Sequence, residues 1–361
     1  RKYLKELCSL QSDDGAFPDM APRNFGTGWD GRGGAGGNNC WGDAAVVIAW
    51  NLYTQYGDVA VLQEYYDALC KWIDYLEVHS ENGLRTEENG YGDHFSVEST
   101  PKGLTDTAWS AHSADLVSKI STVLGKTDEA IHYQQVFEEF RDAWLREYVS
   151  EDGVIECYSQ TAYALGLAFD LFPETMRQMA AECLLNNVTF NQYEFHAGYA
   201  GLGDVLPALS EAGYSDAAYE MLCNTGERSL LYPVIQGATT TPEYLSAYQE
   251  MNGELVLDGS LNHYAYGAPA QWLYTNVLGI RSDKENPGFK HFSIRPEVTD
   301  RWSYAKGAYE SMYGRIEVSW EHEENGYLYH IRIPANTTAT VELPGMESME
   351  LGSGEYDFIS E

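Results

Sequence analysis

A mainly α-helical domain followed by a small antiparallel β-sandwich is the fold class this sequence predicts. From about residue 40 to residue 280 the apolar residues recur with a helical period, and the segments are separated by glycine-then-cap connections. After Pro287 the period changes to two, around Glu324-Asn325-Gly326, as expected of a β-hairpin.

In chain order, the helical pattern covers Trp41 to Tyr56, Val59 to Val78, Thr105 to Leu124, Asp128 to Tyr148, Gln160 to Phe172, Glu174 to Asn187, Val205 to Glu211, Ser215 to Asn224 and His263 to Leu278. Gly57-Asp58, Gly125-Lys126-Thr127-Asp128 and Gly213-Tyr214-Ser215-Asp216 each put a glycine where a helix ends and a capping residue where the next begins. Short connections of this kind force consecutive helices to run antiparallel, so repeated hairpins build either a solenoid or a closed ring. The longer polar loops, residues 24–40, 80–104 and 226–260, would collect at one end of a ring and shape a pocket. Beyond Pro287, Arg315 to Glu321, Tyr327 to Ile333, Thr338 to Leu343 and Gly354 to Ile359 read as strands of a sandwich of roughly 70 residues. The expected domains are 1–286 and 287–361.

Composition restricts the partners. The 361 residues include 22 Lys and Arg against 55 Asp and Glu, a formal charge of −33, which repels nucleic acid and anionic membrane surfaces and leaves neutral small molecules as the natural ligands. No apolar run approaches the ~20 residues that span a bilayer. An aromatic content of 13% supplies flat faces suited to sugar rings, or equally to a core. Cys8, Cys40, Cys70, Cys157, Cys183 and Cys223 are far apart with no Cys-x-x-Cys pair, which favours free buried thiols, and so a cytoplasmic over a periplasmic or secreted location. No metal or other cofactor is expected, because no metal-ligand cluster or phosphate loop stands out. The run Gly31 to Gly37 has no strand before it and no Lys-Ser/Thr after it, and reads as a mobile loop near the pocket. Residue 1 is Arg and Tyr3 to Leu10 already reads as helix, so the chain is expected to be a fragment.

The chemistry concentrates in Gln236-Gly237-Ala238-Thr239-Thr240-Thr241-Pro242-Glu243 and Ser260-Leu261-Asn262-His263-Tyr264-Ala265-Tyr266-Gly267. Small residues and hydroxyls allow close packing around Glu243, and a partly desolvated carboxylate is suited to taking a proton from water. A glutamate beside a proline is more often a solvated loop residue, and a lone histidine such as His263 more often a structural one. Context decides between these readings.

That context comes from motifs in order: DGAFPDMAP (Asp14 to Pro22), WGDAAVVIAWNLYTQYGD (Trp41 to Asp58), YGDH (Tyr91 to His94), QTAYALGLAFDLFP (Gln160 to Pro173), GLGDVLPALSEAGYSDAAY (Gly201 to Tyr219), GATTTPE (Gly237 to Glu243), SLNHYAYGAPAQWLY (Ser260 to Tyr274) and PGFKHFSIRP (Pro287 to Pro296). Together they resemble the catalytic region of bacterial α-L-rhamnosidases, glycoside hydrolase family 78. The resemblance implies an (α/α)6 barrel, N-terminally truncated here, followed by a C-terminal β-sandwich. It further implies that Glu243 is the general base of an inverting hydrolysis, that Trp41 and His94 line the sugar site, and that His263 hydrogen-bonds the sugar. Asp43 and Asp93 are candidates for binding sugar hydroxyls, although an Asp after Gly at a helix start is as often a cap. An inverting enzyme also needs an acid some 6.5–9.5 Å from the base. The family's Asp-Gly-Cys-Pro-x-Arg-Glu acid segment does not occur in the chain and would precede residue 1. His94 stands where the family has Trp, and Thr241-Pro242-Glu243-Tyr244-Leu245 replaces Ile-Trp-Glu-Arg-Trp, so the sugar preference is expected to differ.

Two other readings are consistent with the residues. A helical-barrel glycosidase of another specificity would need a second internal carboxylate, for which Glu98 and Asp258 are the candidates. A carbohydrate-binding pseudoenzyme would keep the pocket without the acid.

Overall fold

The computed structural model describes residues 1–22, 36–86, 90–251, 254–283, 285–324 and 326–360. It divides into two compact units, one of residues 1–49 with 63–268 and the other of residues 50–62 with 269–361. Residues 31–35 of the glycine run and Asn325 of the hairpin turn lie outside the described residues.

The helices are α1 (Lys2–Ser9), α2 (Ala44–Tyr56), α3 (Val59–Val78), α4 (Lys102–Val123), α5 (Thr127–Tyr148), α6 (Gln160–Ala168), α7 (Glu174–Phe190), α8 (Leu202–Glu211), α9 (Ser215–Cys223), α10 (Leu231–Ile235) and α11 (Ala270–Trp272). In the first unit α4 and α5 form a hairpin turned by Gly125 at φ +73°. The amphipathic α5 buries Tyr133, Val136, Phe137, Phe140 and Trp144, spaced three and four apart, against α4. Helix α4 buries small residues on most of its circumference, including Ala108, Ser110, Ala111, Ser113 and Ala114, which lets neighbours approach closely. Ser159 caps α6 by accepting the Ala162 N–H at 3.2 Å. The pairs α6/α7 and α8/α9 repeat the hairpin. No described helix is long and apolar enough to cross a membrane.

Between α10 and residue 258 a two-stranded hairpin, β1 (Tyr248–Met251) and β2 (Glu254–Leu257), rises from the third long loop. Its root packs Tyr232, Ala247 and Tyr248 together with Ala238, Tyr244 and Leu261.

The second unit holds two four-stranded sheets. One joins β5 (Tyr304–Ser311), β6 (Gly314–Glu323), β7 (Gly326–Ile333) and β10 (Gly354–Ser360) in the order β10-β7-β6-β5, antiparallel throughout. The other joins β3 (Ile280–Ser282), β4 (His291–Ile294), β8 (Thr338–Val341) and β9 (Met349–Leu351) in the order β3-β4-β8-β9, with β4 and β8 parallel. Alternation decides the inner face: Ile316, Val318 and Trp320 of β6 and Tyr329, Ile331 and Ile333 of β7 are buried, with Val318 opposite Ile331 and Trp320 opposite Tyr329. Sheet structure of this second unit starts at Ile280, ahead of Pro287. The helix expected over His263 to Leu278 is instead a 3₁₀ turn at Ala265–Gly267, α11, and a π-type turn at Leu273–Val277. Pro269 has no N–H to continue a ladder, and five-residue spacing closes the end through the Leu278 N–H and Leu273 O at 3.0 Å.

Candidate active site

Three segments of the first unit meet around the predicted residues. The first is the turn Cys40-Trp41-Gly42-Asp43 ahead of α2. Asp43 is 0% exposed, and its two oxygens accept Ser113 Oγ (2.7 Å), Trp72 Nε1 (2.8 Å), the Cys40 N–H (2.6 Å) and Asn39 Nδ2 (3.2 Å). Burial raises its pKa, and those four donors work against the rise. All four of these bonds are made within the protein, two of them to the turn that carries Trp41. The Trp41 ring lies 4.4 Å from that of Tyr91, whose hydroxyl donates to Asp19 Oδ2 at 3.2 Å.

The second segment is Tyr91 to Phe95 with the turn Gly198-Tyr199-Ala200 packed on it. Asp93, 8% exposed, also points into the protein: it accepts Thr161 Oγ1 and the N–H groups of Gly198 (3.0 Å) and Ala200 (3.1 Å). Burial pushes its pKa up to about 6 against these bonds. These bonds tie the Tyr91 to Phe95 segment to the 198–200 turn. Any side chain at position 198 would collide with the backbone, because a Cβ there would lie 2.3 Å from His94 O, so this close approach requires glycine. His94 faces Trp41 at 6.1 Å, Tyr91 at 5.9 Å and Tyr199 at 5.5 Å. Its pKa is lowered, chiefly by burial, with Glu243 pulling the other way and His263 reinforcing the fall. The neutral ring is thereby favoured.

The third segment carries Glu243. Residues 240–243 and 258–263 run side by side: the Glu243 N–H donates to Ser260 O (2.8 Å), the His263 N–H to Thr241 O (2.8 Å) and Thr240 Oγ1 to Leu261 O (2.5 Å). Glu243 is half-buried, and its Oε2 accepts the Ser260 N–H at 3.1 Å. Among the described residues no donor binds its Oε1, which is left to accept from a ligand or water. His263 Nδ1 accepts the Ala265 N–H at 3.2 Å, which assigns the proton of the neutral ring to Nε2 and makes that nitrogen a donor. The His263 ring stacks on Tyr199 at 5.4 Å and 22°.

Ring contacts thus run from Trp41 through His94 and Tyr199 to His263, the Tyr199 hydroxyl bonds the Glu243 carbonyl, and Asp43 and Asp93 are buried. Glu98 serves elsewhere: it accepts the Gln160 N–H (2.7 Å) and the amides of Asn187 and Asn191 (both 2.8 Å) beside His196. Burial works against its ionisation, but His196 and these donors outweigh it and hold the carboxyl below its usual range. Asp258 is exposed at the hairpin root, next to Tyr244. Sequence reasoning missed Tyr199, which touches His94, Phe95, His263 and Tyr266 and donates its hydroxyl to Glu243 O at 2.7 Å. The glycines at 198 and 201 on either side of it were the available signal. No group of three or more His, Cys, Asp or Glu among the described residues could hold a metal.

Hairpin helices followed by a β-domain, with a loop-borne carboxylate set among aromatic rings, form the architecture of a six-hairpin glycosidase. Residues 1–277 match the bacterial α-L-rhamnosidase 6-hairpin glycosidase domain and residues 279–356 the bacterial α-L-rhamnosidase C-terminal domain. The chain belongs to the bacterial α-L-rhamnosidase family. An α-L-rhamnosidase of Streptomyces avermitilis is 36% identical over 378 residues, covering 99% of this chain and 36% of the relative, and one of Formosa agariphila is 31% identical over 99% of this chain and 38% of the relative. The crystal structure of the Streptomyces avermitilis α-L-rhamnosidase complexed with L-rhamnose superposes with a TM-score of 0.92 at 33% identity, covering 100% of this chain and 36% of that one. The native Aspergillus terreus enzyme gives 0.90 at 29% identity, covering 99% and 42%. The chain therefore spans little more than a third of the length of the curated relatives.

Proposed function

We propose that this chain forms the sugar-binding, base-bearing part of an inverting α-L-rhamnosidase that releases terminal α-L-rhamnose or a related sugar from glycans or glycosides. The observation that supports it best is the Glu243 carboxylate, held by one oxygen on the Ser260 N–H with the other open, next to the ring cluster of Trp41, His94, Tyr199 and His263. Relatives bearing the name α-L-rhamnosidase, one of them seen with L-rhamnose, support the sugar class.

In this reading the sugar lies between Trp41 and His94, and His263 Nε2–H donates to a ring hydroxyl. Glu243 takes a proton from a water molecule as that water's oxygen bonds to the anomeric carbon from the face opposite the leaving group. The bond to the glycosidic oxygen breaks as a general acid, supplied from elsewhere in the full-length protein, protonates that oxygen. Asp43 and Asp93 keep the two aromatic walls in place.

In the full-length protein, Glu243→Gln is expected to lower turnover of an aryl α-L-rhamnoside by about 10²–10⁴-fold with the fold intact. The first product from the unmodified enzyme, followed by NMR, should be β-L-rhamnose. Undiminished turnover by the variant would refute the assignment of the base, and an α-configured first product would refute inversion. Binding of rhamnose by the unmodified protein without any hydrolysis would favour a pseudoenzyme.

A further inference from the structure

The main chain of Glu243 is held from two sides. Its N–H bonds to Ser260 O within the paired loop segments, whereas its carbonyl oxygen accepts the Tyr199 hydroxyl at 2.7 Å, from the turn that opens α8. That turn is itself pinned. The Tyr199 N–H donates to His94 O at 2.9 Å, and the amides on either side, Gly198 and Ala200, bond to opposite oxygens of Asp93 at 3.0 and 3.1 Å. The Tyr199 ring supports His263 on one face and meets His94 and Tyr266 edge-on at 5.5 and 5.8 Å.

We propose that Tyr199 is a positioning residue for Glu243: its hydroxyl ties the base-bearing peptide to the helical frame, and Asp93 holds the turn that carries Tyr199. This rests on the reading of Glu243 as the base. Without the tie the carboxylate follows the loop pair rather than the frame that holds Trp41 and His94, and a displacement of 1 Å in a reacting group can cost about 100-fold in rate.

The test is Tyr199→Phe in the full-length protein, which keeps the ring and its stacking. The expected result is a fall in kcat of about 10- to 100-fold with KM within about twofold, an unchanged melting temperature, and faster amide hydrogen exchange in 240–243 and 260–263. Tyr199→Ala, which also removes the support under His263, should raise KM as well. Wild-type kcat together with wild-type exchange in Tyr199→Phe overturns the proposal. Exchange does not depend on turnover, so the two readings separate. If Glu243→Gln stays active, the base assignment fails while the exchange data still decide whether Tyr199 anchors the segment. If Glu243→Gln is inactive and Tyr199→Phe behaves as wild type in both measurements, the positioning role alone is lost.

Discussion

Removing the Asp43 carboxylate is expected to cost stability rather than sugar affinity. Its four donors include Trp72 Nε1 and Ser113 Oγ, both buried, and Asp43→Ala leaves them unsatisfied. A loss of about 2–5 kcal/mol in denaturant unfolding follows, with KM little changed in whatever protein remains folded. A raised KM at unchanged stability would restore Asp43 as a sugar ligand. At this scale, what the sequence revealed depended on chemistry peculiar to a site. Glu243 stands alone in an uncharged run of small residues and hydroxyls, and His263 follows in a second such run, so both stood out. Asp43 and Asp93 each follow a glycine in a turn, and the same string serves a brace or a ligand; only burial separates the two. Tyr199 acts through a hydroxyl on a main-chain oxygen 44 positions away, and no local pattern encodes such a contact.

Among the elements, the α4/α5 hairpin shows what holds the helical unit together. Trp144 is fully buried, donates Nε1–H to Leu104 O at 3.1 Å and meets Phe172 edge-on at 5.3 Å. Trp144→Ala is expected to cost about 3–5 kcal/mol through the cavity it leaves, and Trp144→Phe distinctly less, as read by equilibrium unfolding. Helices such as α3, α5 and α9 were legible because their apolar residues repeat at three and four. The segment after His263 misled because its apolar period continues across Pro269, where the backbone ladder cannot. Strand β5, Tyr304–Ser311, was missed for the opposite reason: of its residues Ala305 alone is buried, so little alternation reaches the sequence. The β1–β2 hairpin lay hidden inside a run that composition marks as loop.

Across the whole molecule, acidity acts on stability as well as on partners. Asp106 is 6% exposed; burial pushes its pKa up to about 7, with Asp43 reinforcing the rise and Arg85 working against it. An acid whose pKa is higher in the folded than in the unfolded state binds more protons when folded, so its contribution falls as pH rises between the two values, here from about 4 to about 7. Asp93, raised to about 6, works in the same direction, and the formal charge of −33 adds repulsion as carboxylates ionise. The unfolding midpoint should therefore decline from pH 5.5 to pH 8. Asp106→Asn should flatten that decline by about 2 kcal/mol, since only the stretch from pH 5.5 to about 7 lies within the window and each pH unit there is worth about 1.4 kcal/mol. Arg85 keeps its bonds to Asn39 Oδ1, His79 O and Gly37 O in that variant, so an unaltered slope would show that Asp106 is not the responsible group.

The β1–β2 hairpin springs from Ala247 and Asp258 of the first unit, whose main chains are bonded at 2.9 Å, beyond the Glu243–Ser260 pair. A stem zipped at its root isolates whatever happens at its far end. Tips of different length or chemistry can be exchanged there, like heads on one handle, without respacing the two strands of chain that frame the carboxylate. Variation beyond Ala247 and Asp258 can therefore accumulate without altering the bonds that hold the Glu243 segment.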